Sequence, residues 1–172
     1  MSSSKLDVGC GPTKPVGFVG IDCFPFEGVD IVFNIDSGEQ WPFANNSFDY
    51  IRAIHVIEHL EHQLFFFEEI HRIARPDCVV HIETPHFSSC NSWGDPTHVR
   101  HYASFFMDSI IEGYLSQRMP LFEITIRAIT FSGLLLSWPG WLIYTINRRL
   151  YEKYFSWTFP ASSIIIEAKV LK

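Results

Sequence analysis

Lys5-Leu6-Asp7-Val8-Gly9-Cys10-Gly11-Pro12 decides the reading of this chain. A short apolar run enters a glycine-punctuated turn, the arrangement by which α/β proteins bring main chain close to a nucleotide-like ligand. Pro12-Thr13 stands where a dinucleotide fingerprint would carry its third glycine, so the turn alone is a weak signal. The neighbouring segments strengthen it. Phe18-Val19-Gly20-Ile21-Asp22 reads as a second strand ending in a carboxylate, and Val29 to Asp36 as a third ending in another. Acidic residues at successive strand ends suit hydroxyl and amine donors.

Further along come Trp41 to Ile51, His55-Val56-Ile57-Glu58-His59-Leu60, a helical segment and the strand Val79 to Pro85. Apolar residues at Leu64, Phe67, Ile70, Ile73 and Ala74 alternate with Glu68, Glu69 and Arg72, which predicts a helix over 63–74 stopped by Pro76-Asp77. Strands are expected near 5–8, 18–22, 29–35, 48–55 and 78–84, with two more at Phe122–Ile129 and Ile164–Leu171. Gly9 to Gly17 is too short for a full crossover helix, which ordinarily needs a dozen or more residues. A truncated or absent first helix is therefore expected.

Over residues 5–106 this ordered series resembles the class I S-adenosylmethionine-dependent methyltransferases, in particular their small type 11 branch. The resemblance implies a Rossmann-like α/β sheet of order 3-2-1-4-5-7-6 with the last strand antiparallel, here with reduced early helices and no helix before the first strand. It also implies S-adenosylmethionine as cofactor and S-adenosylhomocysteine as product. Asp7 would brace the turn or the methionine amino group, and the backbone of Gly9, Cys10 and Gly11 would line the carboxylate and sulfonium region. Asp22 would accept from both ribose hydroxyls, Asp36 with its neighbour Ser37 would take the adenine side, and the His55 carbonyl would face the amino group. Read without the resemblance, Asp22 and Asp36 are strand-end residues making Asx turns, and His59 is a hydrogen-bonded core histidine.

The segment Pro85 to Tyr102 has another character. It leaves the carboxyl end of the fifth strand, the edge where open α/β sheets bind ligands. It concentrates His86, His98, His101, Asp95, Arg100 and several aromatics in a polar loop. The functional reading is an acceptor-binding lid in which His86, Asp95, His98 or His101 serves as a base. The alternative is a turn begun by Asp95-Pro96. Because methyl transfer can proceed by alignment, a base is optional. Asp95-x-x-His98-x-x-His101, with His86 and Cys90 nearby, matches none of the strong zinc spacings, and no metal is assigned.

One domain spanning 1–172 is expected, with an aromatic insert at about 132–160. The apolar and aromatic content, 47% and 16%, excludes a disordered chain. The net charge of −6 lacks the basic footprint of non-specific nucleic-acid binding. Four cysteines without a framework spacing, and a short polar Met-Ser-Ser-Ser start unlike a signal peptide, suit a reducing, cytoplasmic setting. Ala128 to Ile146 carries no charge, but Ser137-Trp138-Pro139-Gly140-Trp141 divides it into pieces too short to span a bilayer. Trp138, Trp141, Tyr144, Tyr151, Tyr154 and Trp157 beside Arg148, Arg149 and Lys153 leave three readings. They form a helix packed on the sheet, a homodimer interface, or a peripheral membrane contact. The functional expectation is methyl transfer to a small-molecule or glycan-like acceptor. The alternatives are a cofactor-binding protein without catalysis, or an interaction scaffold using the insert.

Overall fold

Gly9 turns the chain where the sequence places the turn, with φ +63°, and its N–H donates to the Ile21 carbonyl at 2.8 Å. The computed structural model describes residues 4–109, 121–132 and 137–172; the first three residues and 133–136 of the uncharged run lie outside them. Seven strands, β1 (Lys5–Val8), β2 (Phe18–Asp22), β3 (Ile31–Val32), β4 (Phe48–Ile54), β5 (Ala74–Pro85), β6 (Phe122–Ile129) and β7 (Ser163–Val170), form one sheet of order 3-2-1-4-5-7-6. The pairings from β3 through β5 are parallel, and β7 runs antiparallel to both β5 and β6. This is the Rossmann-like class I arrangement that the family resemblance implies.

Between β1 and β2 there is only a 3-10 turn at Gly11–Thr13. Among the described residues, the helices that come after it include α1 (Gln63–Ile73), α2 (Cys90–Gly94), α3 (Phe106–Ser109) and α4 (Trp138–Ile146). α1 buries Phe66, Phe67, Ile70 and Ile73 in the same core cluster as Leu6, Ile51, Val80 and Ile164. Its entry is clamped from outside: both Asp36 oxygens accept from the Glu61 and His62 N–H groups, at 2.9 and 2.8 Å. Buried Glu69 accepts from the Trp41 N–H, while Arg72 holds Glu69 in turn.

Parallel strands are normally apolar on both faces because helices cover both. Here β4 buries Ile51 and Ala53, β7 buries Ile164, Ile166, Ala168 and Val170, and most residues on the other face are partly exposed. On that second face a polar row crosses the sheet in register: Asp7 opposite Arg52, Arg52 opposite His81, His81 opposite Glu167. Arg52 Nε donates to Asp7 Oδ1 at 2.7 Å, and His81 Nδ1 lies 3.1 Å from Glu167 Oε1. The short early crossovers cannot supply helices to cover this face, and cross-strand ion pairs substitute for them.

Three boundaries differ from the expectation. β3 keeps only Ile31–Val32 of the predicted 29–35, because only those two residues find register with Ile21 and Asp22. α1 ends at Ile73, ahead of Pro76-Asp77, and β5 starts at once. Its register against β4 then jumps from Phe48↔Ala74 to Tyr50↔Val79. Pro76-Asp77 forms that bulge, with Asp77 at φ +62°, rather than the helix stop. In the insert, α4 is followed by a short helical turn at Arg148–Leu150 and a π-helical turn at Tyr151–Phe155. Tyr151 is fully buried, while Trp138, Trp141, Tyr154 and Trp157 are all more than half exposed. The insert is part core and part surface. No described helix is long and apolar enough to cross a membrane.

Candidate functional site

At the carboxyl edge of β1, β2 and β4 the structure opens a cleft of about 560 Å³, within the ~300–1,000 Å³ usual for small-molecule sites. Gly9 lies on its wall with Asp22, Asn34, Asp36, His55 and His59, and Thr97 reaches it from the loop after β5. Gly9 has to be glycine. Its φ is left-handed, and a Cβ there would stand 2.5 Å from Val56 Cγ2.

Asp22 is nearly buried. Its Oδ2 accepts from the Gly11 N–H at 2.9 Å and its Oδ1 from the Phe24 N–H at 2.9 Å. Each oxygen retains a second lone pair. The carboxylate is thus held rigidly with acceptor capacity to spare, as two neighbouring hydroxyl donors require. Asp36 also lines the cleft, but its oxygens are engaged in clamping α1, so it is first a structural residue. Ser37 accepts from the Glu39 N–H and is not among the residues lining the cleft. Cys10 is buried beneath the turn, its Sγ 2.7 Å from where a Gly20 Cβ would stand. Asp7 faces away, paired with Arg52. Its Oδ2 is buried with no hydrogen-bond partner among the described residues, and burial raises its pKa against the opposing pull of Arg52.

His55 adopts φ +55° at the end of β4 and donates its N–H to the Glu83 carbonyl at 2.8 Å. Its Nδ1 lies 3.2 Å from Glu58 Oε1. That hydrogen bond raises the imidazole pKa, outweighing the opposing effect of burial. Thr84 Oγ1 donates to Glu58 Oε2 at 2.9 Å. Glu58 sits in a 3-10 turn, Ile57–His59, and its carbonyl accepts from Val99 and Arg100 N–H groups. The loop after β5 is thereby tied down beside the cleft.

Within that loop the four candidate side chains separate. Asp95 Oδ1 accepts from the Thr97 hydroxyl at 2.6 Å and the Thr97 N–H at 2.8 Å, bonds that hold its carboxyl below the usual carboxylate range. His98 donates Nδ1–H to the Ser92 carbonyl at 3.0 Å, and its ring meets His59 edge-on at 4.7 Å. His101 stacks on Trp93 at 3.6 Å and pairs with Ser92 Oγ. His86 goes elsewhere: it is fully buried, bonded to Ser88 Oγ at 2.7 Å and to Glu152 Oε2 at 2.9 Å. Glu152 lines a second cavity, of about 590 Å³, with Phe87, Asp108, Arg149 and Lys153. The loop therefore divides between two cavities.

Sequence reading missed Phe24, Phe26 and Asn34, which line the cleft. The two phenylalanine rings lie 5.8 Å apart. Cys23-Phe24-Pro25-Phe26 directly after the strand-end carboxylate was the available signal, since exposed aromatics beside a ligand carboxylate offer a flat apolar face.

The model of a family described as a methyltransferase domain matches residues 2–156. The chain belongs to that methyltransferase family, and its sheet is that of the class I S-adenosylmethionine-dependent enzymes. No curated protein sequence matches the chain. Among solved structures, it is similar to an S-adenosylmethionine-dependent methyltransferase from Archaeoglobus fulgidus, with 21% identity, TM-score 0.63, and coverage of 97% of this chain and 86% of that one. It is also similar to such an enzyme from Aquifex aeolicus, with 15% identity, TM-score 0.59, and coverage of 99% and 83%. A third, from Mesorhizobium loti, gives 13% identity, TM-score 0.57, and coverage of 96% and 90%. At these identities the likeness is one of fold.

Proposed function

We propose that the cleft beside Gly9 binds S-adenosylmethionine and that the chain passes its methyl group to a small-molecule or glycan-like acceptor admitted past the loop 86–101. The observation that carries this reading is the pairing of a close main-chain approach at Gly9 with a rigid acceptor carboxylate at Asp22, on one wall of one cleft. Asp22 takes the ribose hydroxyls, and Phe24 and Phe26 provide the apolar face for the adenine. The lone pairs left on Asp36 are available to the adenine amine. The backbone of Gly9, Cys10 and Gly11 flanks the methionine end, with the His55 carbonyl for its amino group. The cofactor supplies an electrophilic methyl carbon, so the protein's task is alignment of the acceptor and exclusion of water. His98, His101 and Asp95 are the loop's candidates for acceptor contact. His86, enclosed with Glu152, supports the loop from beneath.

Calorimetry with S-adenosylhomocysteine tests the reading. Wild-type protein binds it, and Asp22→Asn, which keeps the shape and replaces an acceptor by a donor, loses about 1.5–3 kcal/mol, roughly 10–150-fold in affinity. Folded wild-type protein that gives no heat with either S-adenosylmethionine or S-adenosylhomocysteine refutes it.

A further inference from the structure

Glu58, His59 and His98 come from two segments about 40 residues apart, yet each offers a ligand atom and these atoms lie within 4.8 Å of one another. The hydrogen bonds behind them set their chemistry. His59 Nδ1 approaches the Thr97 carbonyl at 3.3 Å, and a carbonyl only accepts, so Nδ1 carries the proton. Thr97 Oγ1, 3.0 Å from the same nitrogen, gives its own hydrogen to Asp95 and so accepts from His59 as well. The Ser92 carbonyl fixes His98 in the same way. Both imidazoles are therefore Nδ1–H tautomers with an Nε2 lone pair free to coordinate. Among the described residues neither Nε2 has a hydrogen-bond partner, and the nearest carboxylate oxygen, Asp95 Oδ2, is 3.9 Å from His98 Nε2. A carbonyl or carboxylate behind each metal-binding histidine is the usual outer support of such a site.

The third member explains why a cation belongs here. Glu58 is 1% exposed, and among the described residues no lysine or arginine pairs with it; its partners are His55 and the Thr84 hydroxyl. A buried carboxylate without a fixed counter-charge is costly, and a divalent ion would neutralise it. His59 and Thr97 also line the cleft, so an ion on this set would stand at the wall of the methyl-donor site.

We propose that Glu58, His59 and His98 form a divalent transition-metal site with open coordination positions, which receives the hydroxyl oxygen of the acceptor. Two imidazoles and one carboxylate suit zinc, cobalt, nickel or iron(II) over magnesium or calcium. The role in catalysis rests on the proposed methyl transfer. The ion lowers the hydroxyl pKa, the proton leaves to solvent, and an oxygen lone pair forms the new bond to the methyl carbon. The carbon–sulfur bond breaks with its electron pair going to sulfur. The site thus specifies an oxygen acceptor, and a vicinal diol of a glycan would fill two open positions.

Cobalt(II) titration of chelator-treated protein, followed by visible absorption, tests the site without needing an acceptor. Wild type binds one equivalent with the d–d bands of a nitrogen and oxygen ligand set. His98→Ala and His59→Ala each weaken binding at least 10-fold, and His71→Ala, remote from the set, leaves it unchanged. Failure of wild type to bind cobalt or zinc overturns the proposal and depends on no variant folding. Unchanged affinity in both His59→Ala and His98→Ala, or intense near-ultraviolet bands of cobalt bound to the exposed Cys23 or Cys90 thiolates, overturns it too. S-adenosylhomocysteine binding to the chelated protein is read separately. Loss of that signal refutes the cofactor reading, and loss of the cobalt signal alone refutes only the metal site.

Discussion

Gly9→Ala puts the first turn to the test. Two separate costs are expected. A non-glycine residue in the left-handed region costs about 1–2 kcal/mol. The new Cβ, 2.5 Å from Val56 Cγ2, adds an overpacking cost of about 1–3 kcal/mol, because Val56 is itself buried and has little room to retreat. The sum is about 2–5 kcal/mol, or roughly 4–20 °C in Tm for a domain of this size. Gly11→Ala is the control. Gly11 is also left-handed, at φ +53°, but a Cβ there meets nothing within 4 Å, so only the conformational cost of about 1–2 kcal/mol remains. Urea unfolding of both variants separates the terms, and S-adenosylhomocysteine affinity should fall further in Gly9→Ala. Adding Val56→Ala to Gly9→Ala should recover part of the steric cost. Equal destabilisation by Gly9→Ala and Gly11→Ala would refute the steric argument, and an unchanged Gly9→Ala would refute both terms.

The buried pair of His86 and Glu152 makes stability sensitive to acid. Burial alone would raise the Glu152 carboxyl, but bonds from His86 and Ser104 outweigh it and hold the group below its ordinary value. A depressed carboxylate contributes stability above the unfolded pKa of about 4.3 and loses it as pH falls through the folded value. Wild type should therefore weaken below about pH 4.3, and Glu152→Gln should cost about 1–3 kcal/mol at neutral pH and flatten that acid limb. An unaltered limb in pH-dependent urea melts would show that the pair contributes nothing to it. In the insert, Trp138, Trp141 and Trp157, 56–67% exposed, should be quenched freely by acrylamide in dilute protein. Protection should grow where the patch meets a second copy, read by light scattering, or an anionic vesicle, read by co-sedimentation at low salt. Protein that stays monomeric and ignores vesicles removes both readings of the insert.

Much of the architecture was legible because it is local. Apolar runs interrupted by Gly9 and Gly11, the spacing from Leu64 to Ala74, and the count of residues between Gly9 and Gly17 each report the conformation of their own segment. Together with the apolar runs near 122–129 and 164–171, these determined seven strand positions, one helix and the lack of a first crossover helix. They also placed Asp22 at a strand end, on the edge where the cleft opens.

What tertiary structure decided is whatever depends on partners distant in the chain. β3 shrank to two residues because register with β2, not the alternation of its own sequence, sets its length. Asp36 had the same strand-end signature as Asp22, but folding brings it against the start of α1, where two unpaired N–H groups claim its oxygens. His86, His98 and His101 are indistinguishable in a polar loop. Packing gives the first to Glu152, 66 residues away, stacks the third on Trp93, and brings the second to His59 and Glu58. No spacing rule could announce that last convergence, because the bonds that create it run from the Glu58 carbonyl to the backbone of Val99 and Arg100. Backbone hydrogen bonds of that kind are independent of side-chain identity, so they leave no trace in the sequence.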